Sequence, residues 1–282
     1  MFSSLRAREF DVSLSIPSTY PYNIAFLTLN ILGAAAFVIV LSLTEMLHRY
    51  NIRHHAWRSF CVSWIVFGLS YAVGTCILMS YQGGKNSGRS AMAVCAIQSG
   101  LIYAAPVLVA NTTLGLIIQL RSIMLVGMNK AQDQLSSRSR ILVATIPWII
   151  WTINFFGVLA YALIEPSKLE MNDIGTYCHL KIPTMNTAIL VVLMYKRGFR
   201  LAGKCDASKT AIRLGIFMLQ VTVGIGLALA IVFTESNTIV MDLIIAIQSP
   251  IAALIFGLRT LVAKSLSLQR QSILRLLGGV LT

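Results

Sequence analysis

Seven apolar stretches run through this chain, and between them they leave little choice of architecture. A helix rises about 1.5 Å per residue and the hydrocarbon of a bilayer is roughly 30 Å thick, so about 20 apolar residues cross it. The expected spans are 23–43, 60–79, 92–120, 141–164, 180–200, 214–234 and 238–258. Six meet that length on apolar residues alone. The fifth has an apolar core of only 182–195 and reaches full length if Lys181, Lys196 and Arg197 extend their charges to the headgroups. If it did not cross, Arg259, Lys264, Arg270 and Arg275 would move to the other side and the charge pattern described next would largely vanish.

Lys and Arg are sorted by loop. Segments 44–59, 121–140, 196–213 and 259–282 hold three, four, six and four of them. Segments 1–22, 80–91, 165–181 and 235–242 hold two, two, two and none. Positive charge is retained in the cytosol during insertion, so the first set is expected inside. The chain reads as an all-α membrane protein, a seven-transmembrane helix bundle of 23–258 with its N-terminus outside and its C-terminus inside. The tail 1–22 is extracellular in this reading, with no apolar signal-peptide core, and 259–282 is cytosolic. Within that last segment Val262, Leu266, Ile273, Leu276 and Leu277 share a face, as in a short amphipathic helix lying on the membrane.

Composition agrees: 56% of residues are hydrophobic and 12% charged. The net charge of +13 has a topological cause, since most of the excess lies in loops facing anionic lipid, and it argues for membrane lipid as a partner and no nucleic acid.

Five cysteines are present. Cys61 and Cys76 lie in the second span and read as small packing residues, and Cys205 is in a cytosolic loop. Cys95, at the outer end of the third span, and Cys178, in the second outer loop, share the oxidising side with no competitor there. A Cys95–Cys178 disulfide is expected, against the alternative of two free thiols. Cys95 shares its helix face with Gln98, Ser99, Ile102, Tyr103 and Pro106. If the disulfide marks the mouth of the bundle, that stripe faces into it, and Glu235 and Asp242 rim it. Gln98, Tyr103, Glu235 and Asp242 are the candidate ligand contacts, although acids and tyrosines at a membrane interface need no ligand. Asn30, Asn111 and Asn154 inside spans are expected to hydrogen-bond between helices.

Seven helices, an outside N-terminus and a bridge from the third helix to the second outer loop resemble the G-protein-coupled receptors. The layout is most similar to small fungal seven-helix receptors of cyclic-AMP-receptor-like or secretin-like type. Trp148 and Trp151 in the fourth span, Gln248-Ser249-Pro250-Ile251 in the seventh and the exit Phe256-Gly257-Leu258-Arg259 carry the resemblance. It departs from the rhodopsin-like branch, with Gln119-Leu120-Arg121 in place of Asp-Arg-Tyr and Ser249-Pro250-Ile251-Ala252-Ala253 in place of Asn-Pro-x-x-Tyr. The resemblance implies a plasma-membrane receptor that passes an unknown extracellular signal to a heterotrimeric G protein. Arg121, Arg200, Lys204 and Arg213 are then the candidate coupling residues, although topology alone would also place cations there. Pro106, Pro147 and Pro250 are expected to interrupt helices three, four and seven as kinks, which suit a mobile bundle although proline is common in membrane helices.

Other classes fit less well. A transporter would carry ionisable groups near mid-membrane, and a retinal protein needs a lysine in the seventh span, which has none. His48, His54, His55 and His179 all fall in loops, so no metal site, cofactor or enzymatic centre is expected. The remaining alternative is a non-signalling seven-helix membrane protein, transporter-like or a shortened receptor with a defective fifth helix.

Overall fold

A computed structural model describes residues 20–46, 55–81, 88–127, 136–172, 176–180 and 242–256. These residues are almost wholly helical. Helices α1 (Tyr20–Met46), α2 (His55–Tyr81), α3 (Gly88–Gly127) and α4 (Ser137–Ile164) follow one another. A short 3₁₀ turn (Pro166–Lys168) leads into strand β1 (Leu169–Met171), which pairs antiparallel with β2 (Cys178–Leu180). The last element is α5 (Asp242–Phe256).

Four of these helices are long and apolar enough to cross a membrane, over Pro21–Met46, His55–Ile77, Met92–Gln119 and Arg138–Ile164. Each helix overruns its expected apolar span, because hydropathy marks the hydrocarbon while backbone hydrogen bonding continues into the headgroup layer. The overrun is largest in α3, whose 40 residues make about 60 Å of helix. Arg121, expected at its end, lies inside it, with the helix continuing to Gly127. The fifth and sixth spans, Glu235, Arg200, Lys204, Arg213 and the amphipathic tail lie outside the described residues.

Pro106 and Pro147 do not end their helices: α3 and α4 run through both. Proline costs an interior helix one donor, and neighbouring helices make that tolerable inside a membrane. What ends α4 is Pro166, after Ile164 closes the helix and the Glu165 N–H bonds the Tyr161 carbonyl at 2.9 Å. Its start is capped by Ser136, whose hydroxyl accepts the Ser139 N–H at 3.2 Å.

Helices α1 to α4 pack in sequence order, and close approach is made by glycine. A Cβ on Gly68 of α2 would come within 2.8 Å of the Asn30 carbonyl of α1, and one on Gly100 or Gly115 of α3 within 3.1 Å of Phe155 or Val143 of α4. Gly33 of α1 faces Ser249 and Pro250, which brings α5 onto α1. Small residues at helix contacts are how bundles gain packing in lipid, where apolar burial drives nothing. Lipid also explains α4, whose Ile141, Leu142, Ile146, Ile149, Ile153 and Phe156 face outward.

The core is aromatic. Trp57, Phe60, Trp64, Phe67 and Tyr71 recur every three or four residues, so they form one face of α2. Their rings touch in series, with centroids 5.8, 6.4, 5.5 and 5.2 Å apart. Phe256, at the end of α5, closes on Trp57 and Phe60 at 5.8 and 5.0 Å.

Two smaller expectations are corrected. Cys61 is buried as expected, but Cys76, near the end of α2 and about 60° further round the helix, is exposed. Among the described residues Asn30, Asn111 and Asn154 make no bond across helices: each amide donates to the carbonyl four residues earlier, at 2.9, 2.8 and 2.7 Å. That acceptor is always in reach on the helix's own surface. The polar links between helices come instead from hydroxyls: Ser63 with Thr112 at 2.8 Å, and Ser59 accepting the Trp148 indole N–H at 2.8 Å while donating to the Ala144 carbonyl at 3.2 Å.

Candidate functional site at the hairpin end

The β1–β2 hairpin and its turn sit across one end of the bundle, in contact with all five described helices. Its register, Leu169 with Leu180, Glu170 with His179 and Met171 with Cys178, turns Leu169, Cys178 and Leu180 onto the bundle, where all three are buried. They pack with Cys95 and Ala96 of α3 and Ala162 of α4. The disulfide joins Cys95 to Cys178 with Cα atoms 5.3 Å apart. His55 and His179, expected in loops, open α2 and stand in β2.

Three of the four candidate ligand contacts meet here, and each is used on the hairpin. Gln98 accepts the Cys178 N–H through Oε1 at 3.1 Å, and its buried carboxamide lies over Gly74 of α2, where no side chain would fit. Tyr103 donates to the Leu180 carbonyl at 2.9 Å. Of the stripe expected to share their face, Ser99 and Ile102 are buried while Pro106 is exposed.

Asp242 is the hub. It is only 3% exposed, and it accepts three hydrogen bonds from the hairpin and its turn. Asn172 Nδ2 and Thr176 Oγ1 donate to Oδ2 at 2.7 and 3.1 Å, and the Tyr177 hydroxyl donates to Oδ1 at 2.9 Å. Every partner is a donor, as an ionised carboxylate requires. Asn172 also reaches the Thr176 hydroxyl at 3.2 Å, and Thr75 of α2 donates to the Thr176 carbonyl at 2.7 Å. Burial first, and then the charge of Asp242, push the Tyr177 phenol well above the ordinary tyrosine range, so it stays a donor.

Tyr177 also continues the aromatic series of α2. Its ring lies 5.7 Å from Tyr71 and 6.1 Å from Phe26 of α1. Helix α5 is therefore tied at both ends: Asp242 to the hairpin, and Phe256 to the far end of α2. Asn172, Thr176, Tyr177 and Thr75 were not among the candidates from sequence. Only Tyr177 carried a usable signal, standing next to the cysteine that fixes the loop.

The far end of the bundle holds a bidentate pair between Arg58 of α2 and Glu45 of α1, with nitrogen–oxygen distances of 2.6 Å. It is exposed and worth little stability by itself. No known family model matches this chain, and no curated protein matches its sequence.

Proposed function

We propose that this chain is a seven-helix, receptor-like protein of the plasma membrane that passes an extracellular signal to a cytosolic G protein by helix rearrangement. One observation carries the reading. A loop hairpin is locked to α3 by the Cys95–Cys178 disulfide and bonded to the head of α5 through Asp242, while the tail of α5 packs on α2 at the opposite end. A ligand that shifts the hairpin against the helices has in α5 a lever reaching the other face.

Direction of travel supports an odd number of spans. Helices α1 and α3 run away from the hairpin end, α2 and α4 run toward it, and α5 runs away. Leu180 and Asp242 lie at the same end, which fits a pair of crossings between them, as seven spans require. The loop charges put that end outside.

The deciding experiment is guanine-nucleotide exchange on a panel of heterotrimeric G proteins by the full chain in nanodiscs. Exchange above empty discs is expected, and Arg121→Ala should remove it while leaving the folded yield unchanged. Arg138→Ala, an exposed cation at the start of α4, is the control. No exchange on any member of the panel would leave a non-signalling membrane protein as the better account.

A further inference from the structure

Asp242 is a buried carboxyl that nothing cationic answers among the described residues. Its three partners are an amide, a hydroxyl and a phenol, all neutral. The ion pairs of the described residues, Arg58–Glu45 and Lys168–Glu165, are exposed and lie elsewhere. A carboxylate offers about four acceptor positions, two per oxygen. Asn172 and Thr176 occupy both on Oδ2, whereas Tyr177 takes one on Oδ1. The phenol on that oxygen belongs to a triad of rings, Tyr177, Tyr71 and Phe26, with centroids 5.7 to 6.1 Å apart.

We propose that Asp242 and this ring triad receive the ammonium group of an organic cation, and that the Tyr177 hydroxyl holds its place until the cation arrives. The inference deepens the receptor reading, on which its biological sense rests. An ammonium brings a full opposite charge to the carboxylate, which a phenol does not, and that attraction grows away from water. The cation gives up its own hydration on entry, and the faces of the rings offset part of that loss. The acceptor count selects the cation: a guanidinium fork pairs with both oxygens of a carboxylate, and Oδ2 is already filled by Asn172 and Thr176, so only Oδ1 is left, which suits an ammonium. The closed triad means that Tyr177 must yield. Because Cys178, its neighbour, is bonded to α3, that displacement strains the hairpin against the bundle.

The test uses the full chain in nanodiscs and reads the thermal-unfolding midpoint with benzylamine, benzylguanidine and benzyl alcohol. Benzylamine should raise the midpoint with concentration, benzylguanidine less, and the neutral isostere benzyl alcohol not at all. Asp242→Asn should weaken the benzylamine response at least tenfold. Tyr177→Phe keeps the ring and removes the competing hydroxyl, so it should strengthen that response severalfold. A purely structural role for both residues predicts losses in both variants. No response to benzylamine, an equal response to benzyl alcohol, or weakening by Tyr177→Phe would each overturn the proposal. Should Asp242→Asn fail to fold, the amine–alcohol contrast and Tyr177→Phe still decide. No step involves a G protein, so absent nucleotide exchange would count against the receptor reading alone.

Discussion

Tyr177 and Asp242, 65 positions apart, meet through a 2.9 Å bond from the phenol to Oδ1, and that contact joins an interhelical loop to the first residue of α5. The two residues are not equivalent in it. Removing the phenolic oxygen deletes one donor, whereas removing the carboxylate strands three donors under the hairpin.

Tyr177→Phe is therefore expected to cost about 1.5–3 kcal/mol, the range for a bond to a charged group, and Asp242→Ala more. Chemical denaturation of the reconstituted protein, followed by circular dichroism, measures both. An Asp242→Ala loss no greater than that of Tyr177→Phe would mean that Asn172 and Thr176 contribute nothing.

Cys95→Ser and Cys178→Ser should each lower stability by roughly 2–4 kcal/mol, because the bridge constrains the unfolded chain across an 83-residue separation. The double variant should be no worse than either single one, since each already breaks the bond. Additive losses would show two independent sulfurs.

Gly74→Ala should destabilise by about 1–3 kcal/mol, because its methyl would occupy the space of the Gln98 carboxamide and disturb the bond that Gln98 makes to Cys178. Gly33→Ala should do the same where α5 meets α1. Gly157→Ala on α4 has nothing within 4 Å and should be neutral or slightly stabilising. Thermal midpoints of the three variants provide the comparison.

Alkaline pH should loosen the hairpin end. The folded Tyr177 holds its proton above the ordinary value of 10.0, so its contribution is complete below pH 10. Above that, the unfolded chain releases the proton and the folded one does not, and stability falls by up to about 1.4 kcal/mol per pH unit. Midpoints recorded from pH 9 to 11 should fall more steeply for the native chain than for Tyr177→Phe. Parallel curves would show that Tyr177 titrates freely.

Topology is tested by epitope tags at residues 2 and 282. An odd span count places them on opposite faces, so only the first should bind antibody in intact cells. Labelling of both without permeabilisation would imply an even count and remove the fifth span.

Sequence by itself located the apolar cores of the four long helices, though not their ends, and singled out the Cys95–Cys178 pair. Both depend on properties a residue carries wherever it goes: cost of transfer to hydrocarbon, charge, and thiol chemistry in a given compartment. It also drew Gln98, Tyr103 and Asp242 toward one end of the bundle, since helical spacing and distance along a span fix depth. Depth does not choose partners. That Asp242 would bond Asn172, Thr176 and Tyr177, that Gln98 would lie over Gly74, and that Asn30, Asn111 and Asn154 would each turn back on their own helix followed from how the elements dock. A side chain at the right height has several donors and acceptors within reach, and only the rotation and approach of the neighbouring helices select among them. The same holds for α2: its five rings were spaced for one face, but α5 and the hairpin decided what that face would touch.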